Sequence, residues 1–403
     1  MERNRDKTIM KSKANFFLNP HSMAMNLDAP GVGALLAALK TNASIWASQS
    51  QPEPITLQSD ERQWLLVETS GTSGKPKTVR RRPETWTVSF EITRGTYAIS
   101  SADTYATLGS LGHSLSLFAT LEALHIGADV CTLSSVGPRR QAQMLEAYGV
   151  TVLYATPTQL RLLVAGAAAA KISELPNVGH IFSGGGKLDQ DLCAALLDLC
   201  PAARILEFFG ASETSFMTIS DLETPVGSVG RSYPGVELRI GTRRGIIPHK
   251  IGEVWVASPY LFDGYTSGAS SDTKWDAEYL SIGEMGHLDE AGNLFLKGRI
   301  NRMITVADQN VFPEEIEQVV SQMDGVEDCA VVAVPDPLRG NRIVCFVTTS
   351  LDDFRSEALR IQCRTALNPS AIPKEFIVLD EMPLLPAGKP DLPKLRALLD
   401  KRP

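Results

Sequence analysis

The chain has 403 residues, of which 43% are hydrophobic and 21% are charged, and its formal net charge is −7. This length exceeds what one ordinary hydrophobic core supports, so it predicts two or three globular domains. The negative charge argues against general binding of nucleic acid or of anionic membranes, although local basic loops can still bind phosphate.

Cysteine usage and hydropathy both favour the cytoplasm. The six cysteines include no C-x-x-C pair and no cluster with histidine, so neither a zinc site nor a disulfide framework is indicated. The longest stretch of low polarity, residues 162–170, is far shorter than a membrane span. We therefore predict a cytoplasmic protein without an export signal or a membrane anchor.

Short apolar runs alternate with helical patterns over residues 60–240, which predicts a largely parallel α/β sheet. The predicted strands are residues 64–68, 130–133, 151–154, 178–182 and 205–209, and the predicted helices are residues 138–148, 157–169 and 188–199. Residues 236–240 and 252–257 are typical of antiparallel strands in an appended small sheet or barrel.

The pattern changes near Gly298 and Arg299, where we predict that a second domain begins. Pro313 and the two glutamates after it open an amphipathic helix. Strands at residues 329–334, 343–348 and 376–379 and a helix at residues 354–367 complete a small α+β unit. The fold class is thus α/β, with a large N-terminal domain over residues 1–298 and a small α+β domain over residues 299–403.

A loop rich in glycine and hydroxyl groups follows the predicted strand at residues 64–68. It consists of Thr69, Ser70, Gly71, Thr72, Ser73, Gly74, Lys75, Pro76 and Lys77, and the run Arg80, Arg81 and Arg82 comes next. Glycines allow a ligand close to the backbone, and hydroxyls, N–H groups and lysines suit phosphate oxygens. The loop is not a P-loop, because Pro76 stands where Ser or Thr would hold magnesium. Pro76 also predicts that the chain leaves the loop extended. A solvated Ser/Gly turn is the alternative.

A second motif follows the strand that ends near residue 209. It reads Phe208, Phe209, Gly210, Ala211, Ser212, Glu213 and Thr214. An aromatic ring, a glycine, a hydroxyl and a carboxylate at the carboxyl end of a strand suit a nucleotide site in an α/β sheet. Taken alone, a core strand followed by a turn is the simpler interpretation.

From about residue 64 to the C-terminus, these motifs resemble the adenylate-forming superfamily of acyl-CoA synthetases, acyl and aryl acid ligases, peptide-synthetase adenylation domains and luciferases. Further matching blocks begin at Gly227, Gly252, Ser281 and Gly298, and Pro386-Ala387-Gly388-Lys389 matches the block near the C-terminus. The resemblance implies a large domain that holds ATP and the acid, and a small mobile C-terminal domain that rotates over it.

The resemblance also implies roles for individual residues. The expected ATP-binding residues are Thr69, Ser70, Gly71, Thr72, Ser73, Gly74, Lys75, Lys77, Gly184, Gly185, Gly186, Phe208, Phe209, Gly210, Ala211, Ser212, Glu284 and Arg299. Within this set Phe209 stacks on adenine, Glu284 grips the ribose hydroxyls, and the three glycines at 184–186 also run along the acyl pocket, where they leave room for an aromatic or extended acid.

The chemistry implied by the resemblance needs positive charge. A carboxylate attacks the α-phosphorus of ATP and pyrophosphate leaves, so negative charge accumulates between two anions. Magnesium held by Glu213, the donors of the loop and the ammonium group of Lys389 would offset it. His113 stands where many acyl-CoA synthetases carry a histidine near the acid, and a hydrogen-bonded histidine at a helix start is the alternative.

The sequence departs from the family pattern in several places. Glu284 replaces the usual ribose-binding Asp, and Asn301 stands at the hinge where Asp or Lys is usual. Ala307-Asp308 replaces a Gly-Gly pair that lines the thioester channel. The phosphate loop begins as early as Thr69, so we expect a trimmed N-terminal subdomain in which residues 30–46 still form one covering helix. Part of the usual wall of the acid pocket is then either missing or supplied by a second subunit.

We predict an ATP-dependent, AMP-forming acid ligase that uses Mg²⁺ and passes its acyl adenylate to CoA or to the phosphopantetheine of a carrier protein. The alternatives are transfer to an amine or another small nucleophile, and a degenerate member that binds nucleotide without catalysis. Lys389 and Glu213 argue against the degenerate member. The partners are a small carboxylic acid, with an acyl carrier protein and a homodimer left open, and neither nucleic acid nor membrane is expected. The identity of the acid is also left open.

Overall fold

The structure is a computed structural model that describes residues 15–69, 76–241, 249–307, 309–349, 351, 356–384 and 390–400, the last without its side chain. It contains mixed α/β layers in a large N-terminal part and a small α+β part at the C-terminus. Among the described residues, no helix has both the length and the apolar character that crossing a bilayer requires.

The first elements form a sheet with helices against it. They are α1 (Val32–Thr41), β1 (Ser44–Ala47), β2 (Ile55–Gln58), β3 (Leu65–Thr69), β4 (Lys77–Arg81) and α2 (Glu84–Tyr97). Strand β3 pairs antiparallel with β4, and Thr69 lies opposite Lys77 in the register. The predicted phosphate loop is therefore the connection of a hairpin, and the chain leaves it as an extended strand, as Pro76 predicted.

The second sheet carries the alternating pattern seen in the sequence. Its elements are β5 (Thr104–Thr107), α3 (Ser114–Ile126), β6 (Asp129–Thr132), α4 (Pro138–Ala147), β7 (Val152–Ala155), α5 (Pro157–Ala170), β8 (His180–Gly184), α6 (Gln190–Leu199), β9 (Arg204–Ala211), β10 (Ser215–Ser220) and β11 (Arg231–Ser232). The strand order is β11-β10-β9-β8-β7-β5-β6, and the strands from β6 to β9 are parallel. The predicted parallel α/β sheet is confirmed.

Local sequence explains where several of these helices begin. The Thr156 hydroxyl accepts the N–H of Gln159 while the Gln159 side chain accepts the N–H of Thr156, and Pro157 occupies the first turn of α5. Asp189 caps α6 by accepting the N–H of Leu192 at 2.8 Å. These caps orient the helices that cover the sheet.

A third, antiparallel sheet leads to the C-terminal part. Its region contains β12 (Glu237–Ile240), β13 (Gly252–Ala257), β14 (Gly264–Ser267), β15 (Lys274–Asp276), β16 (Tyr279–Ser281), β17 (Glu284–Leu288) and β18 (Leu294–Arg299). Strand β14 joins the first sheet by pairing with β4. The predicted small antiparallel sheet is confirmed.

The C-terminal part is the predicted α+β unit. It contains β19 (Ile304–Val306), β20 (Gln309–Val311), α7 (Pro313–Ser321), β21 (Asp328–Asp336), β22 (Gly340–Thr348), α8 (Ser356–Ala366), a short 3₁₀ turn (Pro369–Ala371), β23 (Glu375–Leu379) and α9 (Leu392–Asp400). Strands β21, β22 and β23 form one sheet with its own hydrophobic core. The boundary at residues 298 and 299 stays a prediction.

Candidate active site

The carboxyl ends of β8 and β9 lie side by side and carry the glycine turn and the aromatic motif. Gly184, the last residue of β8, pairs with Phe208 on β9. A Cβ on Gly184 would lie 2.3 Å from a carbon of the Phe208 ring, so a larger residue there would have to displace the ring. Phe208 packs edge-on against Phe216, with 4.5 Å between the ring centroids. Gly185 and Gly186 are exposed beyond the strand end.

A tight turn joins β9 to β10. A Cβ on Gly210 would lie 1.8 Å from the carbonyl oxygen of Ser215, so the turn closes only with glycine at this position. The Thr214 hydroxyl accepts the N–H of Ala211 at 3.0 Å and braces the turn. Phe209 packs against the hydrophobic cluster of the antiparallel sheet. The turn therefore projects Ser212 and Glu213 from the end of the parallel sheet.

Glu213, the predicted magnesium ligand, accepts a hydrogen bond on its carboxylate from Tyr265 within the part of the chain that the structure describes. The Tyr265 hydroxyl donates to Glu213 Oε1 at 2.7 Å and lies 2.8 Å from the Thr273 hydroxyl. Burial and the charge of Glu213 raise the pKa of Tyr265, so the phenol stays protonated and keeps donating. The backbone oxygen of Glu213 accepts the N–H of Phe262. One carboxylate of this kind suits Mg²⁺, which binds mainly through substrate phosphates.

His113 lies at the start of α3, next to the turn. The Ser114 and Ser212 hydroxyls are 2.9 Å apart and join the start of α3 to the turn after β9. The Gln49 amide nitrogen lies 2.8 Å from His113 Nδ1. With the amide donating to Nδ1, the neutral imidazole carries its proton on Nε2. Desolvation by the surrounding protein lowers the pKa of His113, which favours this neutral form.

The segment after β1 connects this histidine to the foot of the phosphate loop. The Ser48 and Ser50 hydroxyls donate to Glu68 on β3 at 3.0 and 2.9 Å. A Cβ on Gly112 would lie 2.4 Å from the Ser48 carbonyl oxygen, so the histidine loop packs directly on this segment. Gln49 and Glu68 were not predicted as site residues, because no local motif marks them.

The predicted phosphate loop is described only at its two ends. Thr69 and Lys77 face each other across the hairpin, and Lys77 lines the cleft described next. Ser70, Gly71, Thr72, Ser73, Gly74 and Lys75 lie outside the described residues, as do Asp308 and Lys389.

A cleft of about 980 Å³ separates the N-terminal part from the C-terminal part. Its N-terminal wall includes Lys77, Asp272, Glu284 and Arg299. Its opposite wall includes Glu314, Val331, Asn341, Pro390 and Arg396. Pro390 directly follows Lys389, so the chain next to the predicted catalytic lysine lies on the same cleft as Lys77.

Glu284 and Arg299 form an ion pair at the edge of this cleft. They lie opposite each other on β17 and β18, with 3.0 Å between Arg299 Nε and Glu284 Oε1. Glu284 is buried, with 6% of its surface exposed. Asn301, the predicted hinge residue, donates to Asp272 at 2.6 Å. The structure thus brings the predicted ribose-binding acid, the predicted arginine and the hinge together.

Comparison with known proteins identifies the family. The model of the AMP-binding enzyme family matches residues 19–266, and the model of the AMP-binding enzyme C-terminal domain matches residues 315–389. The chain is 32% identical over 348 residues to the uncharacterized acyl-CoA ligase YhfT of Bacillus subtilis, covering 85% of this chain and 70% of that protein. It is 26% identical to the 2-succinylbenzoate-CoA ligase of Listeria monocytogenes, covering 82% of this chain and 69% of the relative.

Solved structures share the fold. The o-succinylbenzoate CoA synthetase MenE of Bacillus subtilis, in complex with its acyl-adenylate intermediate, has a TM-score of 0.72 at 23% identity and covers 84% of this chain and 69% of its own. The amide bond synthetase McbA of Marinactinospora thermotolerans has a TM-score of 0.73 at 24% identity and covers 88% of this chain and 72% of its own. At these identities the likeness shows the fold alone.

These matches bear on four of the predictions. The superfamily, the α/β fold class with a small C-terminal domain, the ATP-dependent activation of an acid and the AMP-forming ligase class are confirmed. The roles of individual site residues stay predictions. The chain therefore belongs to the AMP-binding enzyme family, the adenylate-forming ligases.

Proposed function

We propose that this protein activates a small carboxylic acid with ATP and passes the acyl group to the thiol of CoA. One observation carries the proposal: the 2.9 Å contact between the Ser114 and Ser212 hydroxyls brings the histidine loop to the Ser212–Glu213 turn. This junction lies at the carboxyl end of a parallel sheet, where α/β proteins bind their ligands.

The first half-reaction forms an acyl adenylate. A carboxylate oxygen attacks the α-phosphorus, and the bond from that phosphorus to the bridging oxygen of pyrophosphate breaks. The phosphate loop, with Thr69 and Lys77 at its foot, would hold the leaving pyrophosphate. Glu284 and Arg299 would bind the ribose side of the nucleotide, and the exposed Gly185 would let adenine approach the backbone.

Magnesium fits the donor set at the turn. Glu213 offers one carboxylate, and its Tyr265 partner leaves further lone pairs on that group for the ion. The ion would neutralise charge on the phosphates of ATP. Glu213 would hold it, and the nearby Ser212 hydroxyl would contact phosphate.

His113 would orient the acid. With Nδ1 facing the Gln49 amide, the neutral ring presents Nε2–H as a donor to a carboxylate oxygen. A donor on one oxygen leaves the other free to attack. A charged imidazolium would instead reduce the nucleophilicity of the acid, so the lowered pKa of His113 supports this role.

Lys389 would supply mobile positive charge during adenylation. Its neighbour Pro390 lines the cleft together with Lys77, which supports an approach of this segment to the nucleotide. Lysine suits the task as a compact charge on a flexible stem. We infer a domain boundary at residues 298 and 299 and a hinge at Asn301.

In the second half-reaction the thiol attacks the acyl carbon and AMP leaves. The curated relatives named above are CoA ligases, which favours CoA over a carrier protein or an amine. Ala307 has a φ of 47°, in the left-handed region that favours glycine, so this backbone keeps the conformation of a glycine position. All six cysteines carry free thiols, which suits a cytoplasmic enzyme.

Pyrophosphate exchange across a panel of carboxylic acids tests the proposal. We expect ATP-dependent exchange with at least one acid, followed by thioester formation when CoA is added. Exchange with transfer only to a carrier protein or to hydroxylamine would refute CoA as the acceptor. If no acid supported exchange, the proposed acid-activating activity would be refuted, and a protein that binds nucleotide without catalysis would be favoured.

Substitution of Lys389 tests the catalytic assignment. Lys389→Ala should lower the exchange rate by at least about 10²-fold while ATP binding persists. Lys394→Ala is the matched control, because this exposed lysine on α9 pairs only with Asp391, at 3.2 Å, among the described residues. An unchanged exchange rate in Lys389→Ala would remove Lys389 from the mechanism.

A further inference from the structure

The three consecutive arginines after the phosphate loop have different environments. The guanidinium of Arg80 lies 4.5 Å from the ring centroid of Trp64, and Arg82 is half exposed and pairs with Asp263 at 2.9 Å. Arg81, between them, is completely buried. A solvated basic run would not bury its middle residue, so Arg81 needs an explanation of its own.

The buried guanidinium donates to groups in and around the turn after β9. Its Nη1 atom lies 2.9 Å from the Ser215 hydroxyl, 3.0 Å from the Tyr260 carbonyl oxygen and 3.2 Å from the Thr85 hydroxyl. Its Nη2 atom donates to the carbonyl oxygen of Ser212. Two of these acceptors belong to the turn that carries Glu213.

Burial of a charge is costly unless hydrogen bonds and opposite charges compensate it. Burial lowers the pKa of Arg81 to about 10, while the carboxylates of Glu213 and Asp263 act in the opposite direction. Arg81 therefore stays charged at neutral pH. The Arg81 cation thus interacts electrostatically with the carboxylate that the family resemblance assigns to magnesium.

Arg81 also connects two parts of the nucleotide site. It is the last residue of β4, the strand that begins at Lys77 and leaves the phosphate loop. The Ser215 hydroxyl accepts from both Arg81 and the indole N–H of Trp86 on α2. The guanidinium thus ties the strand after the phosphate loop to the turn with Ser212 and Glu213.

We propose that Arg81 is a positioning residue for Mg·ATP: by holding the Ser212 carbonyl and the Ser215 hydroxyl, it fixes the direction of the Glu213 carboxylate relative to the phosphate loop. The inference rests on the proposed function, in which Glu213 holds magnesium. Arg81 itself does not touch the nucleotide, because its side chain is buried under the turn.

The test measures ATP binding by calorimetry with Mg²⁺ and with EDTA, using the full chain and no acid substrate. The wild type should bind ATP more tightly with Mg²⁺. Arg81→Gln should lose about 10- to 100-fold of affinity with Mg²⁺ and little with EDTA, as expected for a group that orients a metal ligand. Arg80→Gln and Arg82→Gln are matched controls that remove the same charge at adjacent positions, and both should bind like the wild type.

Arg81→Lys keeps the charge and loses the fork of donors, so it should show a smaller loss of the same kind. If Arg81→Gln does not fold, this variant carries the test. Equal losses with Mg²⁺ and with EDTA in either variant would overturn the proposal, as would a wild type whose ATP affinity does not depend on Mg²⁺. Neither result touches the acid ligase activity, which pyrophosphate exchange tests separately.

Discussion

A glutamate in the middle of the core should make the stability of this protein fall as pH rises. Glu122 lies on α3 and is completely buried. One oxygen of its carboxyl group, Oε2, accepts hydrogen bonds from the hydroxyls of Tyr154 at 2.8 Å and Tyr105 at 3.2 Å. Burial outweighs these hydrogen bonds and raises the pKa of Glu122 to about 8. The perturbation that we consider is Glu122→Gln, which keeps the carbonyl acceptor and removes the titration.

The sign follows from proton binding. The ordinary pKa of the group is 4.5, so between pH 4.5 and about pH 8 the native protein keeps a proton that the unfolded chain releases. The contribution of Glu122 to the free energy of unfolding is therefore fully present below pH 4.5, and it is lost as pH rises through the native pKa. One pH unit corresponds to about 1.4 kcal/mol, so the loss is about 3 kcal/mol at pH 7 and approaches about 5 kcal/mol above pH 8.

Urea unfolding at pH 5, 6, 7 and 8, followed by circular dichroism, measures the difference. Glu122→Gln should become more stable relative to the wild type by about 1.4 kcal/mol for each pH unit across this range. Glu146→Gln, at an exposed position of α4, is the control and should track the wild type. Parallel stability curves for Glu122→Gln and the wild type would refute the reasoning.

Two substitutions at the nucleotide and acid site have expected outcomes. Phe208→Ala removes the ring that covers Gly184, so kcat/KM for an acid with one more methylene should rise about fourfold relative to the shorter acid; an unchanged preference in pyrophosphate exchange would place the acid elsewhere. Glu284→Gln breaks the 3.0 Å pair with Arg299, so ATP affinity measured by calorimetry should fall about tenfold, whereas Glu284→Asp should retain more of it. Unaltered ATP affinity in Glu284→Gln would remove this residue from the site.

Much of the fold follows from local sequence. The parallel strands β6, β7, β8 and β9 are short apolar runs bounded by turn residues, and each lies within a residue or two of its predicted position. The sequence indicated α3 only as a helix start at His113, the alternative interpretation of that residue; its extent was not predicted, because every residue from Ser116 to Ile126 is buried and no polar face gives it a helical period. A helix that is buried on all sides has no alternation of polar and apolar residues from which it could be predicted.

Some residues of the candidate site are marked by local sequence motifs, whereas others are brought together only by the fold. Gly184 and Gly210 could be recognised from the sequence, because each belongs to a short motif that suits a nucleotide or acyl site. Gln49 and Tyr265 contact His113 and Glu213 across 64 and 52 residues of sequence, so only the fold brings them together. Arg81 was named only as part of a basic run, because the sequence does not reveal which arginine is buried.

A few contacts across the predicted hinge join the C-terminal part to the N-terminal part. Lys297 Nζ lies 2.6 Å from Glu315 on α7, and the backbone N–H of Arg299 donates to Glu314 at 3.4 Å. The Lys297 pair is partly exposed, and pairs of this kind contribute about 1 kcal/mol or less. Arg302 and Glu317 both follow the hinge, so their pair moves as a unit. The rotation about Asn301 that we propose would break these contacts together with the 2.6 Å hydrogen bond from Asn301 to Asp272, and a ligand would select one orientation only by binding it more tightly than the other.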